Sequence, residues 1–391
     1  MDPHLQLKKS VGMESIIFLL GIGMFFVVFS LKMGMINMIN TVMNTSYDIL
    51  ISTVFYITAI AVIMGALSEL LSEFGVISVA NRVLSPLAKP VYGMPGAAVM
   101  GIFSTYLSDN PAILTLSESN NYRCYFQKYQ IPALTNLGTS FGMGLIVTAF
   151  IISIPLTGGE SMVGAAVIGN LGAVAGSIVS TRLMLRHTAR YYGEKGKERA
   201  SEGQEQEFDV MAFRKIRQGN LFSRFLEAML DGGKSGVKMG VSIIPGVLII
   251  CTLVLMFTNG ASADGTYTGA AYEGIGLLPV LGEKLQFIFR LLFGFSSPEC
   301  IAVPITSLGA AGAAISLIPN LVSNNLANGN DVAVFTAMCM CWSGYLSTHI
   351  AMMESLGCRK LAGKAITSHT IGGLTAGIAA HLLYLAWSMI R

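Results

Sequence analysis

The chain has 391 residues, of which 53% are hydrophobic and only 12% are charged, and its formal net charge is +3. Its mean hydropathy is +0.62. Soluble domains carry about 25% charged residues, so this composition excludes an ordinary soluble domain and predicts a protein of the lipid bilayer. A net charge this small, without a clustered basic surface, argues against a nucleic-acid-binding protein.

The first apolar segment is 15–35, which follows the N-terminal sequence MDPHLQLKK. It lacks an A-x-A-type cleavage site, so we expect a membrane span and no cleavable signal peptide. A helix needs about 20 apolar residues to cross a bilayer. The segments that meet this length are 15–35, 51–71, 133–155, 162–185, 237–258, 332–356 and 365–389.

Two further regions, 76–118 and 277–320, are apolar but interrupted. Each begins with a segment typical of the membrane interface and then passes through a glycine-rich turn into an apolar run. If both regions crossed the membrane, the Lys- and Arg-rich segment 186–235 would lie outside the cell, against the positive-inside rule. We therefore expect two re-entrant hairpins and a cytoplasmic N-terminus. The external loops, which contain no Lys or Arg, are then 36–50, 156–161, 259–276 and 319–331.

Residues in the second half of the chain match residues in the first half at a constant spacing. This spacing is the separation between positions 93 and 294. The matching pairs include Gly93 with Gly294, Thr105 with Thr306, Thr135 with Thr336, Leu145 with Leu346 and Gly172 with Gly373. Three of the expected crossings separate the starts of the two copies, so the second copy is inverted relative to the first. Inverted repeats are typical of secondary transporters, which bind their substrate where the repeats meet.

These features predict an all-α polytopic membrane protein with about seven transmembrane helices and two re-entrant hairpins in two inverted repeats. The expected units are an N-terminal helix and external loop over 1–50, the first repeat over 51–185, a charged cytoplasmic insertion over 186–236 and the second repeat over 237–391. The insertion is expected to be flexible up to Glu207. Residues 208–235 form either an amphipathic helix on the inner leaflet or a solvated linker.

The second interrupted region carries polar residues at its glycine-rich turn, namely Ser296, Ser297 and Glu299. We expect this turn to be the tip of a hairpin that opens a helix, whose free N–H groups attract polar or anionic groups. A simpler alternative is a helix cap with an acid in the first turn. The first region has its polar group further on, at Asp109 and Asn110, which could couple an ion or cap a helix near the surface.

The spans that follow the two interrupted regions contain polar residues that lipid would reject. The first has Asn136, Thr139 and Ser140, and the second has Trp342, Ser343, His349 and Glu354. Nearby glycines could let these helices unwind, and freed carbonyl groups could coordinate a cation. The alternative is close helix packing through small residues. His349 with Glu354 could also form a titratable pair that moves protons.

The chain has no Walker A loop, no GxGxxG or HExxH motif and no pattern of a catalytic triad. We therefore expect neither an enzyme nor an ATP-driven pump. The six cysteines do not form a disulfide framework, and Cys339-x-Cys341 is only a weak metal motif.

The segments GFSSPECIAVPITSLGAAGAA and MCMCWSGYLSTHIAMMESLGCRKLAGKAITSHTIGGLTAGIAAH resemble the Gate, or nucleoside-recognition, domain. That group is related to concentrative nucleoside transporters, ferrous-iron transporters and spore maturation proteins. The resemblance covers about 51–185 and 237–389. It implies that hairpin tips and unwound helices bind solute and cation through Ser296, Ser297, Glu299, Asn136, Thr139 and Ser140. The first hairpin departs from the pattern because GMPGA stands where a polar and acidic motif is expected.

The combined expectation is a secondary transporter of the bacterial inner membrane. It would carry a small polar solute, nucleoside-like or an organic anion, by alternating access, coupled to Na⁺ or H⁺ and without a cofactor. Its expected partners are the solute and the bilayer, and a homo-oligomer is compatible with the sequence. Two alternatives stay open: a Gate-domain scaffold that does not transport, and a metal-ion permeation module that uses Cys339, Cys341 and His349.

Overall fold

A computed structural model describes residues 10–155, 161–200, 208–262 and 264–390. The expectations for residues 1–9, 156–160 and 201–207 lie outside these ranges. Regular structure in the described ranges is helical, apart from one bridge between Gln127 and Arg199. The predicted all-α fold is confirmed.

Ten α-helices precede the charged insertion. They are α1 Met13–Met33, α2 Met35–Asp48, α3 Phe55–Glu73, α4 Val76–Tyr92, α5 Ala98–Tyr106, α6 Ala112–Glu118, α7 Asn120–Arg123, α8 Ile131–Thr139, α9 Gly144–Ser153 and α10 Val163–Tyr192. Eight follow the insertion. They are α11 Leu221–Gly246, α12 Thr252–Thr258, α13 Leu277–Phe293, α14 Ala302–Ser307, α15 Ala311–Ser323, α16 Gly329–Trp342, α17 Tyr345–Ser355 and α18 Ala362–Ser388.

Six helical stretches of the described residues are long and apolar enough to cross a membrane. They are Met13–Met33, Met35–Glu73, Ile131–Ser153, Val163–Lys197, Leu221–Thr258 and Arg359–Ser388. A further pair, Gly282–Phe293 with Pro298–Ser307, is bent by 73°. The remaining expected span, 332–356, is divided into α16 and α17 at Ser343 and Gly344.

Two of these spans are unusually long because a π-helical segment joins two α-helices without a break. Ile49–Val54 joins α2 to α3, and Val247–Cys251 joins α11 to α12. The expectation that 36–50 is a loop was therefore wrong. Polar residues repeat on one face of α2, where Asn37 and Asn44 donate to backbone carbonyls of the 259–276 loop. That face lowers the hydropathy without interrupting the helix.

Helices α3 and α11 pack against each other with backbone in contact. A Cβ atom on Gly232 would lie 2.3 Å from the carbonyl oxygen of Gly65, and one on Gly236 would lie 2.3 Å from that of Ala61. Contacts run in opposite directions along the two helices, so the pair is antiparallel. The glycines thus form a seam that holds the two long helices together.

The two copies of the repeat have the same local geometry. Helices α4 and α13 both contain 17 residues. Each is followed by a glycine in the left-handed region, with φ of 74° at Gly93 and 67° at Gly294. Other residues rarely adopt this conformation, so both matched glycines are needed to end the helix and turn the chain.

A helical hairpin follows each of these helices. Hairpin 1 consists of α5 and α6, and hairpin 2 consists of α14 and α15. Their tips are the short turns 107–111 and 308–310. The expectation that 294–299 forms a hairpin tip was wrong, because this segment connects α13 to the first arm of hairpin 2.

The charged insertion is anchored to the long helix pair. Residues 208–220 are irregular, and α11 begins at Leu221 and continues directly into the membrane span. The prediction of a separate amphipathic helix over 208–235 is therefore wrong. The segment is not a solvated linker either, because Arg217 donates to both Glu69 and Glu73 of α3, at 2.8 and 3.0 Å.

Candidate functional site

Each repeat contains a span that unwinds in its middle. Between α8 and α9, Met143 adopts a left-handed conformation with φ of 55°, and between α16 and α17, Ser343 and Gly344 do so with φ of 37° and 70°. Met143 and Gly344 are equivalent positions of the two copies. The unwinding expected from the polar and glycine residues in these spans is confirmed.

The tips of both hairpins meet these breaks at one place, which we call the junction. The side-chain amide of Asn110, at the tip of hairpin 1, donates to the carbonyl oxygen of Ser343 at 2.7 Å. The backbone N–H of Gly344 donates to the carbonyl oxygen of Ser307, the last residue of α14 before the tip of hairpin 2, at 2.8 Å. A Cβ atom on Gly142 would lie 2.1 Å from Oδ1 of Asn110. Both hairpins and both broken spans therefore converge.

The junction contains a buried polar atom that its neighbours do not satisfy. Asn110 is 1% exposed, and its Oδ1 accepts no hydrogen bond within the described residues. Irregular backbone at membrane depth needs protein or water as a partner. Here the carbonyl of Ser343 is already bonded to Asn110, whereas Oδ1 of Asn110 is the acceptor left for a bound group.

A second buried network lies beside the junction and orders Asn136. Its amide donates to the hydroxyl of Ser180 and to the carbonyl of Ala365, both at 3.0 Å. Ser180 contacts Nδ1 of His369 at 2.8 Å, and Nε2 of His369 contacts the carbonyl of Cys341. A carbonyl can only accept, so Nε2 carries the proton in this network and Ser180 donates to Nδ1.

His349 pairs with a histidine and not with the expected acid. Its ring centroid lies 4.5 Å from that of His369, and neither of its nitrogens has a hydrogen-bond partner in the described part of the chain. Glu354 instead binds Arg359 at 2.7 Å near the end of α17. Five residues along a helix place His349 and Glu354 on different faces, so the proposed His–Glu pair was wrong.

The remaining predicted residues of the broken spans are buried around the breaks. Ser140 donates to the carbonyl of Asn136 at 2.8 Å, and Thr139 contacts the sulfur of Met352 at 3.9 Å. Trp342 stacks on Tyr345, and its indole N–H has no partner within the described residues. These residues therefore lie together with Asn110, Asn136, Ser343 and His349.

The structure places Ser296, Ser297 and Glu299 elsewhere. Ser296 donates to Asp331 at 2.6 Å, and Asp331 also belongs to the cap of α16. Twelve residues, or about 18 Å of helix, separate Asp331 from Ser343. Glu299 is partly exposed, and its carboxylate makes no hydrogen bond to a described residue.

The cap at Asp331 has a counterpart in the first repeat, which favours a structural role. There the backbone N–H of Gln127 donates to the side chain of Gln130 at 2.9 Å. In the second copy Asn328 donates to Asp331 at 2.8 Å. The four residues occupy equivalent positions, so both copies use the same cap regardless of any solute.

One cavity lies beside the second arm of each hairpin. The hairpin-1 cavity has a volume of about 510 Å³ and lies between hairpin 1 and the face of α11 that carries Ser235, Lys238 and Ser242. The hairpin-2 cavity measures about 380 Å³ and lies between α15 and the π-helical segment before α3. Thr115 lines the first and Ser316, its equivalent, lines the second. The cavities are thus related by the repeat.

Sequence reasoning missed several residues of this region. Lys238 is the one charged residue of the expected span 237–258, and a charge within an apolar span is itself a signal of function. The carbonyl of Ser307 and the ring of His369 had no comparable signal, because their roles depend on which segments the fold brings together.

Nothing in the described ranges supports the metal-ion module. They contain no group of three or more His, Cys, Asp or Glu side chains that could hold a metal ion. Cys339 and Cys341 are two positions apart on α16, which directs their side chains to opposite faces of the helix. They cannot bind one ion together with His349 without unwinding α16.

Solved structures of CNTnw, a concentrative nucleoside transporter, are similar to this chain. Its inward-facing substrate-bound state gives a TM-score of 0.52 at 13% identity, over 83% of this chain and 74% of that chain. An outward-facing state gives 0.53 at 13% identity, over 86% and 79%. An intermediate state gives 0.52 at 12% identity, over 88% and 80%.

No family model and no curated protein sequence matches the chain. The similarity is thus one of fold, in which the helices of this chain follow the path seen in CNTnw although few residues are shared. The chain has the fold of a membrane transporter whose structures include inward-facing, intermediate and outward-facing states.

Proposed function

We propose that this protein is a secondary transporter that moves a small polar solute by alternating access, coupled to Na⁺ or H⁺. The junction carries this proposal, because two hairpin tips and two broken helices meet there and leave a buried acceptor unsatisfied. Inverted repeats with discontinuous helices are how secondary transporters build a site near the bilayer midplane.

The two cavities support the same function. Each adjoins one hairpin. We infer that an inverted repeat would put hairpin 1 and hairpin 2 on opposite sides of the junction. A solute held at the junction could leave through either cavity if the hairpin beside it moved. The expected nucleoside-like solute or organic anion would fit by size, since small-molecule sites are about 300–1,000 Å³.

Ligand-dependent stability of the purified protein is the direct test. A ligand that binds only the folded state raises the unfolding midpoint in proportion to its saturation. The panel contains nucleosides, organic anions, amino acids and Na⁺, and a solute that raises the midpoint is then tested for counterflow in proteoliposomes.

Three variants link the result to the site. Asn136→Ala should abolish the midpoint shift and the counterflow, whereas the exposed amide variant Asn120→Ala should change neither. Glu299→Gln tests whether the 294–299 segment binds solute, as its sequence pattern predicts, and we expect this variant to bind solute like the wild type. Counterflow that survives Asn136→Ala would contradict the proposed site, and a protein that neither binds nor exchanges any panel solute would favour a scaffold.

A further inference from the structure

The hairpin-1 cavity contains both a positive and a negative side chain. Lys238 approaches from α11, and Asp109 approaches from the tip of hairpin 1. The remaining polar lining consists of hydroxyl groups, from Ser104, Ser108, Thr115, Ser235 and Ser242. Ser235, Lys238 and Ser242 follow each other at helical spacing, so one face of α11 is directed at hairpin 1.

The two charges do not neutralise each other. Among the described residues, Lys238 forms no ion pair or hydrogen bond, although Lys234, one turn earlier, binds Asp231 at 3.0 Å. Within the described ranges, the carboxylate of Asp109 accepts only the backbone N–H of Asn110, at 2.7 Å. Both residues line the same cavity of about 510 Å³ without forming an ion pair. Both charges are therefore available to a molecule that enters this cavity.

Lys238 is exposed and Asp109 is half-buried, and a solute that removes these charges from water must supply partners for them, because an unpaired charge is costly to bury. A neutral nucleoside would leave both Lys238 and Asp109 without a counter-charge. A monoanion would pair with Lys238 and be repelled by Asp109. A solute with one negative and one positive group would compensate both charges, with its other polar atoms on the hydroxyl groups.

The equivalent cavity of the second repeat lacks these charges. Every described residue that lines the hairpin-2 cavity is uncharged, and Ala310 occupies the position of Asp109. The charge pair is thus not imposed by the fold, since the same architecture exists without it. It is a property of the first repeat alone, as expected for residues that select a solute.

We propose that the solute is a zwitterion, with a carboxylate that binds Lys238 and an ammonium group that binds Asp109, as in an amino acid. This inference rests on the proposed transport function and narrows its substrate class. It replaces neither the junction nor the coupling ion, because Asp109 is adjacent to Asn110 and connects the cavity to the junction.

The experiment measures dissociation constants for the purified full-length protein by thermal shift and isothermal calorimetry. The probes are the zwitterions alanine, serine and glycine betaine, the monoanion lactate and the neutral nucleoside uridine. We expect at least one zwitterion to bind and lactate and uridine to bind at least about 30-fold more weakly, because losing a partner of a desolvated charge is worth about 2 kcal/mol or more.

Three variants assign the charges. Lys238→Gln and Asp109→Asn should each weaken zwitterion binding about 30-fold. Asp109→Asn should also improve lactate binding, because the repelling carboxylate is gone. Lys234→Gln is the matched control one turn away and should bind like the wild type. A gain of lactate affinity cannot arise from misfolding, so this measurement tests the proposal even if a variant loses stability.

The outcomes separate this inference from the proposed function. Binding and counterflow of uridine, with no zwitterion bound, would overturn the zwitterion assignment and leave the transporter intact. Equal zwitterion affinity in Lys238→Gln and wild type would also overturn it. If none of the probes or the wider solute panel binds or exchanges, the transporter proposal itself fails.

Discussion

Asn110 and Ser343 are 233 positions apart, yet the amide of one donates to the carbonyl of the other at 2.7 Å. Asn110 belongs to the hairpin of the first repeat, and Ser343 lies at the break of the second. This hydrogen bond therefore connects the two copies at the point where both backbones leave regular structure.

Replacing Asn110 by alanine should lower stability and abolish solute binding together. The carbonyl of Ser343 would lose its described partner in a buried site, which costs about 1–3 kcal/mol. Chemical unfolding measures the stability, and calorimetry with the solute measures binding. Asn120→Ala is the control on an exposed amide. Unchanged solute affinity in Asn110→Ala would show that the junction is only structural.

The glycine seam between α3 and α11 can be tested by two neighbouring substitutions that should affect stability differently. Gly232→Ala should destabilise the protein by about 2 kcal/mol, because its Cβ would lie 2.3 Å from a backbone oxygen. Gly233→Ala should be neutral or stabilising by up to about 1 kcal/mol, since its nearest neighbour is a Val62 methyl at 3.7 Å and alanine favours helix. Unfolding midpoints in one detergent compare the two variants. Similar midpoints would contradict the backbone contact.

Glu73 should hold the charged insertion in place. Its side chain is 3% exposed and binds Arg224 at 2.7 Å and Arg217 at 3.0 Å. Glu73→Gln would remove the described counter-charge of Arg224, whereas Arg217 would keep Glu69 and Asp231. The expected cost is about 1.5–3 kcal/mol, the contribution of hydrogen bonds to charged groups. Limited trypsin digestion should then cut after Arg217 much faster than in the wild type.

The control for Glu73 is the exposed ion pair of the same insertion. Glu194 binds Lys197 at 2.8 Å with both side chains largely exposed. Exposed pairs contribute about 0–1 kcal/mol, so Glu194→Gln should leave the trypsin pattern unchanged. Equal cleavage rates in both variants would argue against a specific anchor at Glu73.

Glu273 predicts a pH dependence of stability in the 259–276 loop. Burial opposes its ionisation, but hydrogen bonds from Ser262, Thr268 and Gly269 outweigh burial and lower the pKa from 4.5 to about 2. The folded state therefore gains stability from this group above pH 4.5 and loses it as pH falls towards 2.

Glu273→Gln measures this contribution. The variant should be about 3 kcal/mol less stable than the wild type at pH 7, and the difference should shrink as the pH is lowered from 5 to 3. Denaturant midpoints over this range provide the comparison. A difference that does not change with pH would mean that shape, and not ionisation, makes Glu273 important.

The fold was largely readable from the sequence because lipid enforces simple patterns. The lengths of the apolar segments predicted the membrane spans, and matched glycines such as Gly93 and Gly294 predicted the repeat. The prediction of a loop at 36–50 was wrong because a polar helix face that packs on a loop has the same composition as a loop. The predictions for the insertion were wrong because Arg217 and Arg224 bind Glu73, which lies more than 140 positions earlier in the chain.

The candidate site was only partly readable. Asn110, Asn136 and Ser343 stand out as polar residues in apolar spans, and they lie together around the breaks. Ser296 stands out equally, but it serves a cap at Asp331 that both repeats share. Sequence cannot separate these cases, because a hydroxyl that caps a helix and one that binds a solute satisfy the same local pattern.

The length of the two joined helices has a consequence for the membrane. Met35–Glu73 and Leu221–Thr258 contain 39 and 38 residues. At 1.5 Å per residue each is about 58 Å long, almost twice the hydrocarbon thickness of about 30 Å. The pair can therefore tilt or shift vertically as bilayer thickness changes without exposing unpaired backbone. Lipids with longer or shorter chains should be tolerated alike by this part of the molecule, so hydrophobic mismatch will fall on the shorter helices around it.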